Sequence, residues 1–219
     1  MRNKIVTVLL AVALTSVSYA GVVGNWEGMP TSGDGWIDWS NNSGAGAGVQ
    51  TLPQYTANTS WYTLGSQSLQ LTKSGWSQTL AIKLEYLGKN SEFLNNSQLE
   101  FDVAVPNLGG AGGWGKIENV ALNASGFSWA SLPNSTTMIG LWAGSGTVSQ
   151  HVVIDYSAAK ALVTATATTG YIELIFTTNN DSTNNEILFD NIKFTTPTPE
   201  PATMALLGLG GLALIRRKR

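Results

Sequence analysis

Glu100 and Asp102 have the spacing of a catalytic acid–base pair. Two residues along a strand return to the same face, about 7 Å further on. That separation suits an inverting glycoside hydrolase, in which one carboxyl protonates the leaving oxygen and the other activates a water. The same alternation supports a plainer reading, with Leu99, Phe101 and Val103 on the inner face and the two acids on a polar outer one. Other chemistries have less to draw on. There is no cysteine and His151 is the only histidine, so a zinc site has no ligand set. Composition leaves a Ser-His-Asp arrangement open, but no nucleophile elbow is present. The run Gly109 to Gly115 (GGAGGWG) lacks the lysine and the following helix of a phosphate-binding loop.

The aromatic residues offer a different chemistry. Trp36, Trp39, Trp61, Tyr62, Trp76, Trp114, Trp129 and Trp142 are more than one core needs. Sugar rings carry apolar C–H faces that pack on the electron-rich face of Trp or Tyr. Trp61, Trp114 and Trp129 sit in stretches rich in Gly, Asn or Ser, and loops at a sandwich rim are where binding residues are placed. Trp61, Tyr62, Trp114 and Trp129 are therefore the candidate carbohydrate-binding residues. The alternative for any one of them is that it fills the core or caps a sheet end.

These side chains are positioned by strands. Period-2 alternation marks Ser68–Thr72 (SLQLT), Trp76–Tyr86, Gln98–Val105, Ile117–Asn123, Thr147–Asp155, Tyr171–Thr177 and Glu186–Thr195. Gly21–Glu27 and Met138–Trp142 are shorter candidates. Pro53–Tyr62 reads as a polar stretch, Ser128–Pro133 as loop, and Tyr156–Val163 as one or two helical turns. Eight to ten strands with no clear repeat are buried most economically as two packed antiparallel sheets. The fold class is all-β, a two-sheet antiparallel β-sandwich over residues 21–195, followed by a stiff linker at 196–198.

Both ends carry targeting patterns. Met1–Ala20 has a positive start at Arg2 and Lys4, an apolar core, and a small-x-small step at Ser18-Tyr19-Ala20, which predicts a signal peptide and a mature chain beginning at Gly21. The other end runs Pro199-Glu200-Pro201, then the uncharged stretch Ala202–Ile215, then Arg216, Arg217, Lys218 and Arg219. Lys and Arg resist translocation, so this end would stop at the inner face of a membrane. As a helix the apolar stretch spans ~21 Å against a hydrocarbon core of ~30 Å, which makes it a marginal or transient anchor. Six of the 12 basic residues lie in these two segments. The body through Glu200 holds the other six and all 14 acidic residues, a net charge of −8. Such a body disfavours nucleic acid as partner and suits divalent cations.

The tail resembles a PEP-CTERM sorting signal: the Pro199-Glu200-Pro201 triplet, the short glycine-containing apolar segment and the Arg-rich end. That resemblance implies processing by an exosortase, a membrane enzyme of exopolysaccharide-producing Gram-negative bacteria. It also implies export, a tether at the inner membrane, and a final place at the cell surface or in the extracellular matrix. The body resembles jelly-roll carbohydrate-binding modules at Trp26-Glu27-Gly28, SLQLT, Leu99–Val103 and Phe189-Asp190-Asn191-Ile192. This second resemblance implies a structural Ca²⁺ held between the first and last strands, here by Glu27 and Asp190, and extracellular polysaccharide as partner. The function expected is non-catalytic polysaccharide binding. The alternatives are a glycan-active hydrolase and a purely structural matrix protein.

Overall fold

The computed structural model describes residues 21–27, 55–72, 77–109, 114–139, 145–163, 171–180 and 186–197. The expected signal peptide, the tail expected to form an apolar helix, and Trp36, Trp39, Trp76 and Trp142 lie outside the described residues. No helix among the described residues is long and apolar enough to cross a membrane.

The described residues form two antiparallel sheets packed face to face. The strands are β1 (Val22–Gly24), β2 (Tyr55–Asn58), β3 (Ser68–Thr72), β4 (Gln78–Lys83), β5 (Gln98–Gly109), β6 (Gly115–Ala124), β7 (Phe127–Ser131), β8 (Thr137–Ile139), β9 (Ser145–Asp155), β10 (Ile172–Asn180) and β11 (Glu186–Thr195). The first sheet has the order β2-β3-β11-β5-β9, with β1 paired to β11. The second has the order β4-β10-β6-β7, with β8 paired to β6. From β3 to β6, and again from β9 to β11, successive strands alternate between the sheets. This is the crossing pattern of a jelly roll, and the fold is the predicted all-β sandwich.

Period-2 patterning explains the layers. Leu99, Phe101, Val103 and Val105 of β5, Leu174 and Phe176 of β10, and Ile187 and Phe189 of β11 are all buried in one core. Phe101, Phe176 and Phe189 meet there with ring centroids 5.1, 5.6 and 6.2 Å apart. Truncating any one of them to alanine removes about 3–5 kcal/mol of stability. A second aromatic group closes one end of the core. Phe93 of α1 (Asn90–Asn95) stacks on Tyr156 at 4.7 Å, and Phe194 meets both rings edge-on. The buried Tyr156 hydroxyl donates to the Phe93 carbonyl at 2.8 Å, and burial pushes its pKa far up. Asp155 accepts from the Ser157 amide at 2.8 Å and starts the single helical turn α2 (Ser157–Lys160).

Beyond shifts of a few residues at strand ends, the elements differ from the sequence expectation in four places. The Trp76–Tyr86 run ends as a strand at Lys83 and turns into a 3-10 helix over Leu84–Leu87, closed by Gly88 at φ +66°. Residues read as a polar stretch contain β2, and residues read as loop contain β7. Both are edge strands, YTAN and FSWAS, whose polar and small residues give no run of alternating aliphatic side chains. The helix α1 was not anticipated, because six residues show less than two turns of periodicity.

Candidate functional site

The loop between β2 and β3, residues 59–67, folds over the outward face of the first sheet and is tied down at its start, middle and end. Asn58 begins it: its Oδ1 accepts from the Ser60 and Trp61 amides at 2.9 and 3.0 Å, an Asx turn. Asp190 on β11 takes the next two amides, Thr63 at 2.6 Å and Leu64 at 2.7 Å, on its Oδ2. Glu27 takes the last two, Ser66 at 2.8 Å and Gln67 at 3.2 Å, together with the Ser66 hydroxyl at 2.8 Å. Ser68 closes the loop by donating its hydroxyl to the Trp61 carbonyl at 2.6 Å. Gly65 is required between the two carboxylates. Its φ of +78° is left-handed, and a Cβ there would land on the Glu27 carboxylate.

Tyr62 lies between two of these anchored amides and is 46% exposed. Its chain neighbour Thr63 reaches into a row of polar residues across three strands. Cross-strand register places Asp190 of β11 opposite Asp102 of β5, and Asp102 opposite His151 of β9. Thr63 Oγ1 donates to Asp102 Oδ2 at 2.5 Å and lies 3.2 Å from Asp190 Oδ2. Asn191 Nδ2 donates to the same Asp102 oxygen at 3.0 Å, and His151 Nδ1 lies 2.7 Å from Asp102 Oδ1. Asn191 reaches that oxygen from a bulge in β11, where its φ is +53°. One row on, Glu100 faces Lys193. It receives Thr195 Oγ1 at 2.6 Å, with Lys193 Nζ at 3.4 Å and His151 Nε2 at 3.6 Å.

The electrostatics follow from burial and donors. Burial alone pushes Asp102 up, but hydrogen bonds from Thr63, Asn191 and His151 outweigh it and hold the carboxyl below its ordinary range. Asp190 is fully buried, and there desolvation wins over four donors, leaving it raised. Glu27 is exposed and is lowered by the Ser66 amide and hydroxyl. A general acid has to keep its proton near neutral pH, and Asp102 is shifted the wrong way for that role. Glu100 and Asp102 lie on the outward face, as the plainer sequence reading has it, and each is already engaged by neighbouring donors.

Glu27 and Asp190 do approach the same segment, but from its two ends. Both present their oxygens to N–H and O–H groups, whose positive ends face where a cation would sit. As arranged, this donor set does not fit Ca²⁺, which needs converging carboxylate and carbonyl oxygens. Among the described residues no group of three or more His, Asp or Glu side chains is arranged to hold a metal ion.

The four candidate aromatics fall in three places. Trp61 and Tyr62 share the loop. Trp114 stands just before β6, and Trp129 lies near the far end of that strand, on the edge strand β7, some 30 Å from Trp114 by strand rise. Trp129 is 43% exposed. The middle of the sheet face beside it is closed: Ala81, Glu173 and Ile175 are buried although they point away from the core. Sequence reasoning missed Thr63, Asp102 as the partner of Asp190, and Asn191. The signal present was Asp190-Asn191 in the last strand, a polar pair where the pattern calls for one outward residue.

No curated protein matches this chain. Several solved structures resemble it in outline. One is CBM28, a non-crystalline cellulose specific carbohydrate-binding module, at 15% identity over 81% of this chain and 96% of that one, TM-score 0.49. Another is the mannan-recognising module TmCBM27, at 23% identity over 75% and 90%, TM-score 0.45. A third is the CBM22-1 xylan-binding domain from Paenibacillus barcinonensis Xyn10C, at 12% identity over 82% and 94%, TM-score 0.39. Likeness at this level concerns the outline of the fold and not the ligand. At the other end of the chain, residues 197–219 match the PEP-CTERM protein-sorting motif.

Proposed function

We propose that this protein is an exported, non-catalytic polysaccharide-binding β-sandwich. In this reading the exosortase-type enzyme that recognises its PEP-CTERM motif delivers it from the inner membrane to the cell surface or matrix. The observation that carries the binding reading is the geometry of Tyr62. A half-exposed aromatic ring is held out on a loop in which six of the nine backbone amides donate to side chains of other elements. Such a loop backbone is ordered before any ligand arrives, so binding there loses less conformational entropy. The polar row that Thr63, the chain neighbour of Tyr62, joins includes Asn191 and His151, with Lys193 and Glu100 one row on, groups of the kind that bind sugar hydroxyls. Trp61 shares the loop, while Trp114 and Trp129 stand at other elements.

The test is affinity electrophoresis of the exported protein through soluble polysaccharides, repeated with Tyr62→Ala and Trp129→Ala. Retardation is expected for the wild type and for Trp129→Ala. Tyr62→Ala should weaken binding about 3- to 10-fold, the value of one aromatic contact. Undiminished binding by Tyr62→Ala sinks this assignment of the site. Release of reducing sugar that is lost in Glu100→Gln would show the hydrolase alternative instead.

A further inference from the structure

Gly21 stands one residue before β1, and its position is fixed. Val22 pairs with Lys193 and Gly24 with Ile192, while Val23 and Trp26 go directly into the core. A Cβ built on Gly21 would fall on the Glu92 carboxylate. The glycine α-carbon therefore lies against that group, with its nitrogen within about 4 Å by standard bond geometry. Glu92 is fixed as well. It belongs to α1, whose next residue, Phe93, is fully buried in the aromatic cluster. Glu92 Oε1 is taken by Lys89 Nζ at 2.7 Å. Glu92 Oε2 is buried and has no hydrogen-bond partner among the described residues. A buried carboxylate oxygen without a donor is expensive, and the backbone nitrogen beside it is Gly21.

We infer that Gly21 is the amino terminus of the mature protein and that Glu92 is the receptor for its ammonium. The Ser18-Tyr19-Ala20 step supplies the cleavage pattern. A peptidase of the export machinery adds water to the Ala20 carbonyl carbon and the Ala20–Gly21 C–N bond breaks. Ala20 departs with the leader as a carboxylate, and the Gly21 nitrogen takes up protons to become –NH₃⁺. Before the cut that nitrogen is an uncharged amide with one hydrogen. Afterwards it carries three donors and a positive charge beside an anionic oxygen that lacks a partner. Glycine at this position is what lets the carboxylate come so close.

Intact mass and amino-terminal sequencing of the exported protein test the first half. A start at Gly21 is expected, and any other start, or an uncleaved chain, overturns the inference. The second half is read from the pH dependence of amino-terminal acylation in the mature protein. The α-amino group should titrate higher in the wild type than in Glu92→Gln, while Lys89→Ala leaves it high. Identical titration in wild type and Glu92→Gln overturns the receptor role. If Glu92→Gln does not fold, one alanine added ahead of Gly21 moves the ammonium away with Glu92 intact. That extension should lower Tm by about 2–4 °C, and an unchanged Tm overturns the inference equally.

Discussion

Asp102 and Asp190 face each other across two strands, share one threonine hydroxyl, and are shifted in opposite directions. The signs decide how stability varies with pH. Asp190 is raised in the folded state, so its contribution is fully present below its unfolded value and is lost as pH rises through its folded value. Asp102, Glu27 and Asp155 are lowered, Asp155 by the Ser157 hydroxyl and amide. Their contribution is present above the ordinary carboxylate range and is lost as pH falls through their folded values. Stability should therefore peak within the ordinary carboxylate range and fall on both sides of it, on the neutral side through Asp190. Asp190→Asn should flatten the neutral side of that profile and keep the acid-side fall. Urea midpoints measured across the range check this, and an unchanged neutral-side slope in Asp190→Asn would remove Asp190 from the account.

At the scale of the element, the β2–β3 loop behaves as one unit, because its successive amides are bound by Asn58, Asp190 and Glu27. Gly65→Ala tests that unity. The left-handed φ of a non-glycine residue costs about 1–2 kcal/mol, and the new Cβ pushes the Glu27 side chain off the Ser66 and Gln67 amides. Tm should fall by about 2–8 °C. The same substitution in a Glu27→Ala background should cost less, since the collision is gone; an equal cost in both backgrounds would mean that the Glu27 contact does not matter. The parts of this unit differ in how far the chain discloses them. SLQLT and Glu186–Thr195 are long enough to alternate, and both strands occupy the residues their pattern predicts. Glu27 and Asp190 are recognisable as acidic residues at the adjacent first and last strands. Their work is not recognisable, because it depends on amides, which every residue carries and no letter of the sequence marks. Thr63 and the Asn191 bulge are hidden for the same reason. Their roles come from register between β11, β5 and the loop, set over 127 residues of separation in the case of Thr63 and Asp190. The aromatic residues were legible as a surplus but not as places, since local composition does not tell a loop over one sheet from an edge strand of the other.

At the scale of the whole molecule, the question is what substitutes for the metal that a cysteine-free exported sandwich could use. The first and last strands are joined directly, β1 on β11, and the loop that crosses them is bound by carboxylates accepting hydrogen bonds. That arrangement ties the loop to β11 and to the segment after β1 through hydrogen bonds. The body's charge of −8 still gathers divalent ions by its long-range field, so a specific site has to be told apart from an ion atmosphere. A site filled at 100 times its Kd adds about 2.7 kcal/mol to the folded state, which corresponds to about 5–10 °C in Tm for a domain of this size. An atmosphere responds to ionic strength whatever the ion. Melting the exported protein in chelator, in calcium and in magnesium at matched ionic strength should give one Tm to within about a degree. A calcium-specific rise of several degrees, abolished by Asp190→Asn, would mean that the carboxylates turn from their amides to a metal, and the hydrogen-bonded lock would give way to the cation.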